Sequence, residues 1–373
     1  MGVRKSSELF EKDIKMNQKP KVLLMEAREN LFGHKRLNEA IINTISTITN
    51  LTIVFPEGWI KELPENVKYY SFEPKHKCMQ KNAEQIIKSM ECMRFARELD
   101  KKMHFDYIFF SASNVFAMVL SRMMYGMHEK RVLILHHNIS DQLDESVIKR
   151  ICFEIYKKKT RHVLIEDFMK HSFIKKHHVP ETLVYSFPHP LNVMNQKFQL
   201  EYDYTGISNS NDDEWIRKII SKEEQDGVLR KNRIRMLLRS GKYKFDNGFL
   251  TVFRGRLEES EYYEIIMRSR VILIPFPKTF KYRISASVVD AFSNRKKVIG
   301  SNIPLIKKYE KDYPHICKIG IHMSDIIRDY YDKNQNDAKA EREFLHFSQR
   351  HSQEKLEKAF INIFSENAGE FLK

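Results

Sequence analysis

The sequence has few cysteines, and they are not placed for a shared site. Its four cysteines, Cys78, Cys92, Cys152 and Cys317, are far apart in the chain and form no C-x-x-C pair. Close pairs are what a disulfide framework or a cysteine-type zinc site needs. We therefore expect reduced, mostly buried thiols and neither a disulfide nor a cysteine-bound metal.

Glycine and proline are also scarce, with 12 and 11 in 373 residues. No low-complexity linker stands out, and no repeat occurs at solenoid or propeller periods. The sequence has no Walker loop, no G-x-G-x-x-G after a strand and no H-E-x-x-H. Adjacent His177 and His178 have no acid at helical spacing, so we expect no metal site. The length suits two domains, each with its own core.

Long apolar runs are missing as well. The most apolar stretch, Tyr107–Gly126, contains Asn114 and Arg122 and is predicted to be a buried strand followed by a helix. The N-terminus has no apolar signal core, although Gly2 and Ser6 match the acylation pattern M-G-x-x-x-S, which we interpret as coincidence. We expect a cytosolic protein.

Acidic residues are outnumbered, since 64 Lys and Arg against 49 Asp and Glu give a net charge of +15. Such a field favours nucleic acid, phosphorylated ligands or an anionic membrane surface; a lysine-rich composition without functional cause is an open alternative. No helix-turn-helix, zinc-finger or RRM signature is present. Two basic segments, Lys170–His178 and Arg233–Phe245, are candidates for contact with lipid headgroups, with an ordinary solvated surface as the alternative.

Apolar strands alternate with helices along most of the chain, which is typical of parallel sheets covered by helices on both faces. The rhythm breaks at Pro188–Tyr204, which we interpret as a domain junction. We predict an α/β protein of two Rossmann-like, doubly wound domains facing across a cleft. The first is expected over 1–187 and the second over 188–345. A C-terminal helix over 346–373 could pack back on the first domain.

The stretch YRISASVVDAFSNRKKVIGSNIP, Tyr282–Pro304, indicates a ligand site. A buried strand precedes it, and a helix is predicted to begin near Ser285, where unpaired N–H groups and the helix dipole suit a phosphate. Ser285 or Ser287 can cap the helix or donate to that phosphate, and Arg283 adds positive charge. Asp290 could accept hydrogen bonds from sugar hydroxyls.

Each of these residues also has an ordinary structural interpretation. Asp290 could be a solvent-facing acid, Arg283 could pair with a surface acid, and Ser285 could be a plain N-cap. His136 and His137 end a predicted strand, and we expect one of them to point inward. His137 is a candidate for acceptor or catalytic contact.

The same stretch resembles the block E-G-F-G-x-P-x-x-E-A-M, followed by G-x-P-V-I, of retaining, group 1 type GT-B glycosyltransferases. Asp290 falls on the second acid, which in that family holds the nucleotide ribose. Tyr282 falls on the first glutamate, which contacts the donor sugar, and Arg283–Ala286 replaces the glycine loop. YDYTGISNSND resembles the turn that opens the second domain, where Gly206 would let the backbone approach the donor phosphates.

The resemblance implies a metal-independent hexosyltransferase that needs no cofactor and uses a nucleotide-diphosphate sugar, with UDP expected as the nucleotide. Catalytic contacts are expected from His137 and Arg283. Donor contacts are expected from a larger set: Gly206, Tyr282, Arg283, Ser285, Ser287 and Asp290. Lys242, Lys244 and Arg256 are further candidates for the diphosphate.

The acceptor would be a carbohydrate or lipid-linked glycan of the cell surface, reached at the inner face of the membrane, and nucleic acid is not an expected partner. The alternatives are a nucleic-acid-binding protein, supported by net charge alone, and a catalytically inactive GT-B-fold partner subunit, since the first acid of the motif is absent.

Overall fold

The computed structural model describes residues 19–26, 32–60, 62–75, 81–126, 131–332 and 337–365. They form two compact units. The first comprises the chain up to His137, then Gln142–Pro188, and finally the chain from Gln353 onward. The second comprises Asn138–Asp141 and His189–Ser352. Gly2 and Cys78 lie outside the described residues.

The first unit is built on a sheet of seven parallel strands in the order β3-β2-β1-β4-β5-β6-β7. Most of its strands are unbroken apolar runs because both faces are covered. The strands are β1 (Lys21–Met25), β2 (Asn50–Phe55), β3 (Lys68–Ser71), β4 (Tyr107–Phe110), β5 (Val132–His136), β6 (Arg161–Ile165) and β7 (Val184–Phe187). This is the doubly wound order.

Helices connect these strands, and the C-terminal helix packs on the same unit. They are α1 (Phe32–Ile48), α2 (Lys81–Met103), α3 (Val115–Tyr125), α4 (Ile139–Glu145), α5 (Val147–Tyr156), α6 (Asp167–His177) and the C-terminal α14 (Gln353–Ser365). The hydroxyl of Tyr107 donates to the carbonyl of Phe364 at 2.7 Å, which ties α14 to β4. Asn138 and the first three residues of α4, Ile139–Asp141, group with the second unit.

The second unit also contains a seven-stranded sheet, in the order β10-β11-β9-β8-β12-β13-β14. All neighbours pair in parallel except the short β10, which runs antiparallel to β11 at the edge. The strands are β8 (Tyr202–Gly206), β9 (Met236–Ser240), β10 (Phe245–Asp246), β11 (Leu250–Arg254), β12 (Ser269–Ile274), β13 (Lys297–Gly300) and β14 (Cys317–Ile319). Its core lies between the sheet and helices that carry Ile216, Ile219 and Ile326.

The helices of the second unit follow its strands in alternation. They are α7 (Asp213–Asp226), α8 (Val228–Asn232), α9 (Glu259–Met267), α10 (Ala286–Ser293), α11 (Pro304–Asp312), α12 (Met323–Tyr331) and α13 (Asp337–Arg350). The predicted helix near Ser285 is therefore confirmed as α10, and the predicted pair of α/β folds is confirmed as two parallel sheets with this alternation.

The structure corrects the sequence interpretation of the C-terminal tail. The apolar tail was expected to form one helix but forms α13 and α14, which are separated at His351 and Ser352. The His351 ring is buried and shares a hydrogen bond with the His189 carbonyl, so this residue is fixed inside the fold. The basic segment Arg233–Phe245 contains the buried strand β9, whereas its Lys242 and Lys244 are exposed, so its contact with lipid headgroups stays a prediction. Tyr107–Gly126 is a strand and a helix, as predicted, and no described helix is long and apolar enough to span a membrane.

Two buried histidines lie against each other in the core of the first unit. His162 donates from Nε2 to the Lys157 carbonyl at 2.9 Å, so its Nδ1 accepts from Nε2 of His136 at 2.8 Å. The rings are packed among Phe153 and Phe173. Burial lowers the pKa of His162 to about 4 and, together with neighbouring His162, holds the pKa of His136 well below its usual range. Both rings are therefore neutral near pH 7.

This pair predicts that the first unit loses stability in mild acid. The unfolded histidines bind protons near pH 6.5, whereas folded His162 does so only near pH 4 and the pKa of folded His136 is also held well below its usual range. The free energy of unfolding therefore falls as the pH drops below 6.5. A shift of this size is worth on the order of 3 kcal/mol for His162 at pH 4. Trp59 in a Trp215→Phe background reports urea unfolding of this unit. A His171→Gln control, altering an exposed histidine, should keep the same pH dependence, and a flat profile from pH 7 to 5 would contradict the assignment.

Candidate functional site

The carboxyl ends of β8 and β12 form the edge of the second unit's sheet where a ligand is expected. Strand order reverses between these two neighbours, and ligands of open α/β sheets bind beyond the carboxyl ends of the strands at such a point. Gly206 ends β8, and Ile274 ends β12. The loop after β12 leads directly into α10, so the predicted site residues from Tyr282 to Asp290 all lie on this connection.

The loop from Lys281 to Arg283 binds a carboxylate, that of Asp141. The N–H of Tyr282 donates to Oδ1 at 2.9 Å and the N–H of Lys281 approaches Oδ2 at 3.4 Å. Nε of Arg283 lies 2.8 Å from Oδ2, and its guanidinium stacks over the ring of Phe280 at 4.4 Å. The Asp141 side chain is only 4% exposed. Two backbone donors and a guanidinium therefore converge on one anionic group.

Asp290 is buried at 5% exposure, so its interpretation as a solvent-facing acid is wrong. Its Oδ2 accepts a hydrogen bond from the Tyr262 hydroxyl at 3.2 Å. Its Oδ1 accepts from Nδ2 of Asn192 at 3.2 Å and from the Tyr263 hydroxyl at 3.4 Å. Burial and the neighbouring carboxylate raise the pKa of Tyr262 well above its usual range, which keeps this phenol protonated as a donor.

The two serines at the start of α10 differ in what they contact. Ser285 is the first residue before the helix, yet its side chain makes no capping hydrogen bond. Ser287 accepts a hydrogen bond from the Tyr262 hydroxyl at 3.1 Å and so belongs to the Asp290 cluster. Both serines are buried. The N–H groups of the first turn of α10 thus have no side-chain cap from Ser285, as an anion site at a helix start requires.

The packing around position 206 leaves little space for a side chain. A Cβ at this position would lie 3.1 Å from Cδ2 of Leu238 and 3.3 Å from the Leu273 carbonyl oxygen. Contacts this short would require the neighbours to move by a few tenths of an ångström, so close packing between strands favours a glycine here. Its expected role in admitting donor phosphates stays a prediction.

Arg239 is a residue that the sequence interpretation missed. It follows Leu238 at the carboxyl end of β9, and its Nε donates to the Gly255 carbonyl at 2.5 Å. Desolvation, and then repulsion from Arg256, lower its pKa. Two arginines thus lie close together beside the end of β11. The expected diphosphate residues Lys242 and Lys244 are exposed.

The first unit brings its own polar residues together at the carboxyl edge of its sheet. Glu26 follows β1, Ser111 follows β4 and His137 follows β5. Ser111 Oγ donates to Glu26 Oε2 at 3.1 Å, and the His137 ring stacks on His34 with centroids 3.9 Å apart. Only His137 was predicted.

The tautomer of His137 follows from its contact with the sheet. Its Nε2 donates to the Ser111 carbonyl oxygen at 2.8 Å, so in the neutral ring Nδ1 is the atom that can accept a proton. His34 Nδ1 lies 3.5 Å from the buried Glu26 carboxylate. His136 points into the core, as described above, so the expectation that one histidine of the pair faces inward is confirmed.

The described residues form no third candidate site beside the two sheet edges described above. A groove of about 550 Å³ in the second unit is lined by Glu201, Tyr202, Glu264 and Arg268, which lie at the amino end of β8 and the C-terminal end of α9. That edge is opposite to the one where ligands of such sheets bind. No group of three or more His, Cys, Asp and Glu among the described residues could hold a metal ion. Cys92, Cys152 and Cys317 are free thiols.

Comparison with known proteins identifies the fold. No family model and no curated protein sequence matches the chain. Solved structures do match it. A sucrose-phosphate synthase from Thermosynechococcus elongatus has 8% sequence identity and a TM-score of 0.67, and the match covers 93% of this chain and 98% of that one. WaaG, a glycosyltransferase involved in lipopolysaccharide biosynthesis, has 10% identity and a TM-score of 0.62, with 93% of this chain and 100% of that one covered. HepE from Anabaena, solved in complex with UDP and glucose, also matches, with 9% identity and a TM-score of 0.61. The match covers 93% of this chain and 99% of that one.

These matches extend over nearly the whole chain, and they include glycosyltransferases of the GT-B fold. The chain therefore has the GT-B fold, and the resemblance read from its sequence is confirmed at the level of fold. Identities of about one residue in ten show the fold alone.

The Asp290 cluster predicts a specific loss of stability in Tyr262→Phe. This variant removes one donor from a buried carboxylate and leaves the ring in place, so the second unit should lose about 1–3 kcal/mol of unfolding free energy. Trp215 reports that unit in a Trp59→Phe background. Tyr331→Phe is the matched control, because Tyr331 is 55% exposed and its hydroxyl donates to the half-buried Asn232 side chain. Equal effects of the two substitutions would contradict a dependence on buried Asp290.

Proposed function

We propose that this protein is a glycosyltransferase that moves a sugar from a nucleotide-diphosphate donor, a UDP-sugar, to a carbohydrate acceptor. The observation that carries the proposal is the anion-binding loop Lys281–Arg283, which lies between a parallel strand and α10 in a GT-B fold. Backbone N–H groups and an arginine at that position suit phosphate oxygens as well as they suit a carboxylate.

The proposed chemistry is electrostatic stabilisation of the leaving group. When the bond between the anomeric carbon and the diphosphate oxygen breaks, negative charge grows on the diphosphate. Arg283, the loop N–H groups and the start of α10 would stabilise that charge, with Arg239 and Arg256 as further cations. Asp290 would hold the ribose hydroxyls, and Tyr282 would lie toward the sugar. Fixed positive groups of this kind support a mechanism without a divalent metal.

The stereochemistry leaves two routes open. In an inverting reaction a base must take the proton of the acceptor hydroxyl, and His137 is the candidate because Nδ1 of its neutral ring can accept a proton. Glu26 and His34 would orient it. In a retaining reaction, toward which the sequence motif leans, His137 would contact the acceptor without acting as a base.

We further propose a hexosyl donor and a cell-surface polysaccharide or glycoconjugate acceptor at the inner face of the membrane. WaaG, which is similar in fold, is involved in lipopolysaccharide biosynthesis, and HepE is in complex with UDP and glucose. Both support the substrate class.

Calorimetric titration with UDP, GDP, dTDP and CMP, with and without EDTA, tests this function. We expect micromolar binding of UDP that EDTA does not change, since arginines and N–H groups replace a metal. Asp290→Ala should weaken the free energy of UDP binding by roughly 1–3 kcal/mol, which is the size of a lost set of charged hydrogen bonds. Asp246→Ala alters an exposed acid on the edge strand and serves as the control. If no nucleotide binds to the folded protein, the inactive-subunit alternative replaces the enzyme.

Asp141 should compete with the diphosphate for the loop. Asp141→Asn removes the charge but keeps the side-chain shape, so we expect UDP affinity to rise about tenfold, the size of one charge-assisted hydrogen bond. Asp144→Asn is the matched control, since Asp144 lies on the same helix and pairs with Lys176 instead. Lower UDP affinity in Asp141→Asn would show that the carboxylate supports the site and does not compete for it.

Arg283 is assigned to the leaving group, so its loss should act on the rate more than on binding. We expect Arg283→Ala to reduce kcat by about a hundredfold or more, as removal of one preorganised donor does, while UDP affinity changes less. Arg295→Ala is a suitable control, because Arg295 is exposed and pairs with Glu341. A normal rate in Arg283→Ala would remove it from the mechanism.

A further inference from the structure

Two neighbouring helices of the first unit leave a large apolar surface uncovered. Fourteen large hydrophobic side chains are exposed among the described residues, and half of them lie on α3 and α5. We call this set the apolar face. It consists of Leu120, Met123, Met124, Val147, Ile148, Ile151 and Ile155, which are between 40% and 78% exposed.

The apolar face lies on two neighbouring helices, because α3 and α5 pack against each other. Arg122 on α3 donates a hydrogen bond to the Ile155 carbonyl on α5, which joins the two helices. On α5, positions 147, 151 and 155 recur every four residues and share one side. Phe153 and Tyr156 occupy the opposite side and are buried in the core. The helix therefore has two apolar sides, of which its own unit covers one.

Single exposed hydrophobic residues are ordinary, but seven together on two packed helices are not. The largest apolar patches on monomeric proteins are commonly binding surfaces. The hydrophobic side chains here include Ile148 and Met123, which are 65% and 78% exposed. Their transfer out of water is favourable for any apolar partner, so a second property must identify the occupant.

That second property is charge. Arg150, Lys158 and Lys159 are exposed on or directly after α5, and none forms an ion pair with the described residues. Glu154, the one acid in the α5 sequence, is bound to Lys157. Nζ of Lys157 also donates to the His177 carbonyl, which brings the basic end of α6 beside the end of α5. Exposed Arg150, Lys158 and Lys159 therefore accompany the apolar face without an ion pair among the described residues, while the nearby acids Glu154 and Asp144 are paired with Lys157 and Lys176.

We propose that the apolar face docks on the surface of an anionic lipid bilayer. Apolar side chains on one side of a helix, bordered by Lys and Arg, are the combination that lies in a membrane interface and is attracted to anionic headgroups. The basic segment Lys170–His178 would contribute through exposed residues of α6 such as Lys175. The inference rests on exposed residues of the first unit and does not depend on the proposed sugar transfer.

Cosedimentation with vesicles tests the proposal directly. The full-length protein is mixed with vesicles of phosphatidylcholine alone or with added phosphatidylglycerol. We expect strong binding to the anionic vesicles and weak binding to the neutral ones. The triple variant Met123→Gln, Ile148→Gln, Ile151→Gln should reduce the partition coefficient at least about tenfold, since it removes the apolar contribution. These side chains are exposed, so circular dichroism and thermal melting should show an unchanged fold.

A second set of variants separates charge from apolar contact. Arg150→Gln and Lys158→Gln should each lower binding to anionic vesicles about fivefold, the value of one basic residue near such a surface. Neither should change binding to neutral vesicles. The matched control is Leu345→Gln with Ile361→Gln, which removes two exposed hydrophobic residues from other helices and should leave binding unchanged.

Three outcomes would overturn the proposal. The first is no binding to anionic vesicles by the intact protein. The second is equal loss in the control pair, which would mean general hydrophobic adsorption. The third is a dimer in sedimentation equilibrium that the triple variant converts to a monomer, which would make a second copy the occupant. Each readout is free of sugar chemistry, so a failure here leaves nucleotide binding intact, and the reverse also holds.

Discussion

The second unit is organised around a carboxylate that cannot be left without donors. Asp290 lies in a helix whose residues from Ser287 onward are all buried, and an unpaired charge there would cost several kcal/mol. Tyr262 and Tyr263 of α9 and Asn192 of the extended segment supply the missing hydrogen bonds. The hydrogen bonds that this one side chain needs therefore fix two parts of the chain, α9 and the segment around Asn192, relative to α10.

The position of α10 in turn determines what its preceding loop can bind. Because the helix start is held, the N–H groups of Lys281 and Tyr282 and the guanidinium of Arg283 converge on one point. A carboxylate occupies that point with two oxygens, whereas a diphosphate offers more oxygens and more charge. Asp141 neutralises Arg283 in this structure. Under the proposed function, the affinity for the diphosphate would depend on how readily Asp141 is displaced.

The fold could be predicted from sequence because buried parallel strands are local signals. Runs such as VLILH and VILI read directly as strands, and the helix at Ser285 follows from the residues around it. The site could be predicted only where its residues are close in sequence. Asp141 lies 140 residues before Lys281, and Glu26 meets Ser111 across 85 residues, so nothing local marks either contact. The two tyrosines of α9 likewise read as ordinary helix residues until the sheet places them beside Asp290.

The net charge of +15 is easier to interpret once the cations are separated by what neutralises them. In the second unit, Arg268 pairs with Glu201 and Glu264, and Arg270 lies near Asp203 and Asp329. Those ion pairs neutralise both arginines locally. At α5, by contrast, Arg150, Lys158 and Lys159 form no ion pair with the described residues and accompany an apolar surface. Charge that is unpaired beside exposed hydrophobic residues fits a headgroup layer better than a nucleic acid, because a nucleic acid backbone would use the cations and leave the seven hydrophobic side chains in water.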